Sequence, residues 1–156
     1  MTKTLAELAE IIKDIDFATL STHSEGGTIA GRPMSNNRDV EYDGDSWYFA
    51  CGDARTIQDL RANPQCALSF HGKSGMLGMK PLFVHIEGKA ELIHDKAQFA
   101  AHWNKDLELW FEDGIDTPGL TLIRINGVRA HYWDGADQGE FLLEGATPET
   151  RATATE

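Results

Sequence analysis

Two cysteines in 156 residues, Cys51 and Cys66, are too few for a disulfide framework and too far apart for a Cys-x-x-Cys motif. Cys66, within Gln65-Cys66-Ala67-Leu68-Ser69-Phe70, reads as a small packed hydrophobe rather than a redox group. No apolar run approaches the ~20 residues a membrane-crossing helix needs. The opening MTKTLAELAEIIKDI mixes charged and apolar residues at helical spacing and has no apolar centre of the kind a secretion signal carries, so a cytoplasmic location is expected. Basic residues are scarce: 14 Lys and Arg against 25 Asp and Glu leave a net charge of -11. No basic stripe forms, which argues against a nucleic-acid partner. The six histidines make no His-x-x-x-His or His-x-His pair, so no metal site is expected. There is no Gly-x-Ser-x-Gly elbow and no Cys–His signature. If the chain is an enzyme, a bound cofactor carries the chemistry and the protein supplies orientation and charge.

What is present is enough for one ordinary domain with a real core: 41% hydrophobic and 25% charged residues. Residues 3–15 read as an amphipathic helix with Leu5, Leu8, Ile11, Ile12 and Ile15 on one face. Strands are expected over 17–23 and 28–34, joined by Ser24-Glu25-Gly26-Gly27, and over 46–51 after the turn Tyr42-Asp43-Gly44-Asp45. Asp53 is placed to cap a helix running through Ala62, which Asn63-Pro64 ends. A strand over 65–71 follows, then a glycine-rich loop over 72–79 and a long strand from Leu82 to Leu92. Helical pieces over 96–103 and 107–111 precede the last long strand, 120–133. Trp47, Trp103 and Trp110 read as packing residues. Residues 1–140 form a single domain on this reading, and the acidic, threonine-rich residues 141–156 a disordered tail. Short turns between strands, with helices at intervals, indicate a small antiparallel barrel with peripheral helices.

The segment Gly31-Arg32-Pro33-Met34 puts a cation on one strand. The segment from Trp47 to Thr56 runs from an aromatic strand straight into a helix start bearing Arg55. Free N–H groups and partial positive charge at a helix start suit a phosphate, and two arginines converging there let an acidic chain hold an anionic cofactor.

The order of these features resembles the general stress protein 26 branch of the pyridoxamine 5'-phosphate oxidase-like, FMN-binding split-barrel family. The resemblance rests on Arg32-Pro33-Met34, the Arg55 helix start, Asn63-Pro64, the strand 84–91, Asn104-Lys105-Asp106 with Leu109-Trp110-Phe111, and the closing His131-Tyr132-Trp133-Asp134. It implies a mainly β fold, a six-stranded antiparallel split β-barrel, that forms a homodimer with flavin at the subunit interface. On that resemblance Arg32, Pro33 and Met34 lie along the flavin, and Phe49, Ala50 and Cys51 approach it through the backbone. Arg55 and Thr56 grip its phosphate, Lys73 reaches it from the partner chain, and Trp133 packs near the ring.

The chain departs from the family at the grip, where Ala54 and Thr56 replace a serine and a lysine. That opens FAD as a ligand beside FMN. The implied role is a stress-related oxidoreductase or flavin reductase drawing on NAD(P)H. The alternatives are a non-catalytic flavin store or sensor, a true pyridoxamine 5'-phosphate oxidase, and a barrel for F420 or haem.

Overall fold

A computed structural model describes residues 3–36, 41–72 and 81–143. Helix α1 (Leu5–Lys13) starts at a capping box in which the Glu7 amide donates to the Thr4 hydroxyl and the Thr4 amide to the Glu7 carboxylate. It buries Leu8, Ala9 and Ile12 against the barrel. Strands β1 (Phe17–His23), β2 (Ile29–Ser35), β3 (Asp45–Cys51), β4 (Gln65–His71), β5 (Leu82–Ile93), β6 (Leu120–Asp134) and β7 (Asp137–Leu142) form one antiparallel sheet. Helices α2 (Arg55–Ala62) and α3 (Lys96–His102) interrupt the strand sequence, and single-turn 3-10 segments fill several connections.

The strand order is β2-β1-β4-β5-β6-β3, with β7 added on β6. The curled sheet therefore does not close, since β2 and β3 are the two ends of its path. This is the split barrel the resemblance implies, with one strand more than the expected six.

Alternation along the strands sorts side chains by face. The rungs Arg32–Leu20–Leu68–Ile86–Ala130 and Met34–Ala18–Phe70–Val84–Tyr132 point into the barrel. Leu20, Leu68, Ile86, Ala130 and Tyr132 are fully buried there. The rung between and beyond them, including Pro33, Thr19, Ser69, His85 and His131, points outward. A second apolar cluster forms outside the barrel wall, where Phe49, Phe99, Leu120 and Leu122 pack with Trp103 and Phe111. The β5–β6 ladder shifts register between Glu87 and Gly88. A side chain at Gly88 would lie 2.8 Å from the Asn126 carbonyl oxygen, so the closest approach of the two long strands admits only glycine.

Several sequence expectations change in detail. Asp53 is not the cap of α2: the N-cap is Ala54, and no side chain caps the helix. The helical piece expected over 107–111 is a 3-10 segment over Lys105–Leu109. Helix α3 stops at His102, one residue before the expected end. Trp103 packs in the outer cluster, whereas Trp110 is 74% exposed. The chain also stays ordered beyond residue 140, because β7 runs to Leu142 and Leu143 is buried in the main core. Of the expected tail, 144–156 lie outside the described residues.

Candidate functional site

The split between β2 and β3 is a groove of about 860 Å³. Pro33, Met34 and Ser35 come from the β2 edge, Trp47, Tyr48 and Phe49 from the β3 edge, and Leu107, Leu109, Trp110 and Phe111 from the 3-10 segment and its end. Its volume falls within the range of about 300–1,000 Å³ usual for small-molecule sites. Leu109 and Trp110 stand largely exposed on its rim, an apolar surface that a solvated loop would not ordinarily carry. The His102 ring stacks on Trp47 with centroids 3.6 Å apart and forms part of the wall. Burial lowers the His102 pKa, so the ring is neutral near pH 7. β3 pairs only with β6 among the described residues, so the backbone groups on its other side face the split.

Both strands lead toward the start of α2. Stepping back along β2 from Met34 reaches Arg32, and stepping forward along β3 from Phe49 reaches Ala50, Cys51 and then the helix. Arg55 stands at the first helical position, behind an N-cap that supplies no side-chain acceptor. The Ile57 amide donates to the Ala54 carbonyl at 3.0 Å, and the Arg55 and Thr56 amides are left for an external acceptor.

The two arginines meet there, but around a carboxylate that sequence reasoning missed. Arg32 Nη1 donates to the Thr22 hydroxyl at 2.8 Å and to the Leu20 carbonyl at 3.3 Å, while Nη2 reaches Asp59 Oδ2 at 3.3 Å. Arg55 donates through Nε and Nη2 to the Ser24 hydroxyl at 3.0 and 2.6 Å. Ser24 in turn donates to Asp59 Oδ1 at 3.0 Å, and Thr22 donates to Oδ2 at 2.9 Å. Asp59, 7% exposed, is therefore the hub of the cluster. The signal was present: Thr22 and Ser24 continue the inward rung of Leu20, and Asp59 lies one helical turn from Arg55.

Burial alone would raise the Asp59 pKa. The hydrogen bonds from Thr22 and Ser24, with the charges of Arg55 and Arg32, outweigh it and hold the carboxyl below its ordinary value. A depressed folded-state value contributes stability that is present above the unfolded value and lost as pH falls through the folded one. Stability measured below pH about 4 should therefore fall less steeply in Asp59→Asn than in the wild type. Parallel acid limbs would remove Asp59 from this role.

The remaining expected site residues divide. Pro33, Met34 and Phe49 line the groove, and Ala50 packs on the main core beside it. Cys51 shares the outward face of Phe49 and lies opposite Leu120. Thr56 is buried, so its hydroxyl does not replace the missing exposed donors at the helix start. Lys73 lies outside the described residues. Trp133 is opposite Phe83 on the outward face, stacked on His131 at 3.8 Å, whereas Arg32 points inward. A single chain does not bring Trp133 to the groove. Cys66 packs against the core, and burial pushes its thiol up to about 12, which suits the inert role. No group of three or more metal-ligating side chains occurs among the described residues, and no described helix is long and apolar enough to cross a membrane.

Solved structures that share the fold include the following three. A Clostridium acetobutylicum protein related to general stress protein 26 matches with a TM-score of 0.74 at 21% identity, over 90% of this chain and 94% of its own. General stress protein 26 from Bacillus anthracis matches at 0.71 and 21% identity, over 89% of this chain and 98% of its own. A haem-binding protein from Mycobacterium smegmatis matches at 0.72 and 16% identity, over 91% of this chain and 59% of its own. No curated protein matches significantly. The family model described as pyridoxamine 5'-phosphate oxidase like spans residues 3–152, nearly the whole sequence, and the chain belongs to that family.

Proposed function

We propose that the groove between β2 and β3 holds a flavin nucleotide, FMN or FAD, and that the chain works as a homodimeric oxidoreductase or flavin reductase. The observation that supports this reading is an apolar slot lined by Met34 and Phe49, on the two strands that lead in sequence toward Arg32 and toward the uncapped helix start bearing Arg55. A flat tricyclic ring suits the slot, where Met34, Phe49 and Trp47 offer apolar and aromatic contact. A phosphate suits the helix start, where free amides and a guanidinium point outward. The residues therefore fit the group, although Asp59 lowers the net charge of the grip to one positive unit.

A bound flavin would supply two-electron chemistry through its N5 atom. The chain's own residues would do the rest. The β3 edge offers backbone hydrogen bonds to the ring's polar rim. Neutral His102 holds Trp47 in the groove wall, and the exposed Leu109 and Trp110 cover apolar surface from water. A second copy would cover the exposed Phe83 and Trp133 on the outward face, which is the route by which Trp133 could approach a flavin.

The test is the visible spectrum of the purified protein, followed by acid release of any bound ligand and addition of NADH or NADPH under anaerobic conditions. A flavin spectrum that bleaches with either nucleotide is expected. A bound flavin that neither reduces would identify a store or sensor instead. Release of haem, or a colourless protein that leaves added FMN and FAD fluorescence unquenched, would end the flavin reading.

A further inference from the structure

We propose that the rim of the groove is a docking platform for a neutral, flat, apolar electron acceptor of the quinone class. The inference rests on the flavin reading above and deepens it, since it names the second substrate of that site.

The platform is held in place from both ends. Leu107 and Phe111 pack against the outer apolar cluster, and the Phe111 ring lies 6.2 Å from that of Trp103. The Asn104 side chain accepts from the Asp106 amide at 3.0 Å, and the Trp110 and Phe111 amides donate to the Leu107 carbonyl at 3.0 and 2.9 Å. Between those anchors Leu109 and Trp110 line the groove yet stand 85% and 74% exposed. Phe17, at the start of β1, lines the same groove and is 61% exposed. Three large apolar side chains kept in water at the mouth of one slot mark a binding surface.

Charge narrows what binds there. The charged residues that line the groove are Lys13, Asp14 and Asp106, together one negative unit, and His102 is neutral near pH 7. An anionic group carried on a ring docked at this rim would sit near the two carboxylates and lose hydration against Trp110 and Leu109. A neutral ring bears neither cost, and the Trp110 indole offers it a flat face. NAD(P)H carries its charge on the pyrophosphate, away from its reacting ring. The reaction balances as NAD(P)H, a proton and the quinone giving NAD(P)+ and the hydroquinone. The hydride brings the electron pair and one hydrogen, and solvent brings the second proton.

The test is calorimetric titration of the flavin-loaded full chain with hydroxymethylanthraquinone and with anthraquinone sulfonate, one tricycle without and with a charge. The neutral probe should bind at least about tenfold more tightly than the sulfonate. Trp110→Ala, compared at equal flavin loading read from absorbance, should weaken the neutral probe about tenfold. NADH-driven reduction of the two quinones should follow the same order. Equal binding of the two probes, or undiminished affinity in Trp110→Ala, overturns the proposal and leaves the flavin reading intact. So does a flavin-loaded wild type that binds neither probe, the result expected if a second copy covers the rim. A chain that takes up no flavin ends both readings. Should Trp110→Ala fail to fold, Leu109→Ala is read in the same way, and the comparison of the two probes on wild type stands without either variant.

Discussion

Replacing Arg32 and Arg55 together by alanine is expected to abolish flavin retention, and the two single variants should reach that end by different routes. Arg55 is exposed and gives its hydrogen bonds to Ser24 alone among the described side chains. Its removal costs the phosphate one charge-assisted contact, roughly 1.5–3 kcal/mol, or about 10- to 150-fold in affinity. Folding stability should hardly move, because an exposed guanidinium contributes little to it. Arg32 differs. Its guanidinium is mostly buried and faces the buried Asp59 carboxylate across 3.3 Å. Arg32→Ala leaves that carboxylate with two hydroxyl donors and only the charge of Arg55, reached through Ser24, which should lower stability by about 2–4 kcal/mol. It also leaves Asp59 to repel any phosphate that approaches Arg55. Thermal unfolding and flavin titration of the three variants separate these effects. Unchanged flavin affinity in the double variant would remove the phosphate site from α2, and an unchanged Tm in Arg32→Ala would remove the buried pair from the stability argument.

The contrast between those arginines shows how far the sequence could be read. Short turns between strands, with helices at intervals, made a small antiparallel barrel legible, and the resemblance supplied its split form. Arg32 and Arg55 were legible as cations near a helix start. The hub between them was not, since Asp59 looks like any polar residue on a surface helix until the register brings Thr22 and Ser24 beneath it. The cap was misread for a related reason. Asp53 has the right chemistry, but the helix begins one residue later than a cap there would require, after the turn in which the Ala54 amide donates to the Cys51 carbonyl. Trp133 was placed near the ring by the resemblance alone. Side-chain direction along β6 puts it on the face opposite Arg32, a distinction that depends on register and not on residue type. The rim residue Trp110 was visible as an aromatic residue but read as packing, because composition does not say which apolar residues are left facing a groove.

Leu143 carries the second large effect, in the stretch that composition assigned to a tail. Its side chain is 5% exposed, its amide donates to the Val128 carbonyl at 2.8 Å, and one of its methyl carbons fills the space over Gly127. A side chain at Gly127 would lie 2.6 Å from that methyl, 2.8 Å from the Gly44 carbonyl oxygen and 2.9 Å from the Tyr42 hydroxyl. Leu143 thus seals the place where β6 passes the turn before β3, directly under the strand that forms one wall of the groove. Leu143→Ala should cost about 2–4 kcal/mol, the usual range for truncating a buried leucine, and lower Tm by about 5–15 °C. Gly127→Ala should destabilise by a similar or larger amount, because two of its three clashes are with groups that cannot move aside cheaply. Combining the two substitutions relieves only the contact with the leucine methyl. The double variant should be less unstable than the sum of the singles yet remain below either wild-type residue's contribution, since the Gly44 carbonyl still obstructs the new methyl. Strict additivity would mean that Leu143 and Gly127 do not touch. A Leu143→Ala protein as stable as the wild type would return residues 141–143 to the tail and leave the base of the β3 wall without its support.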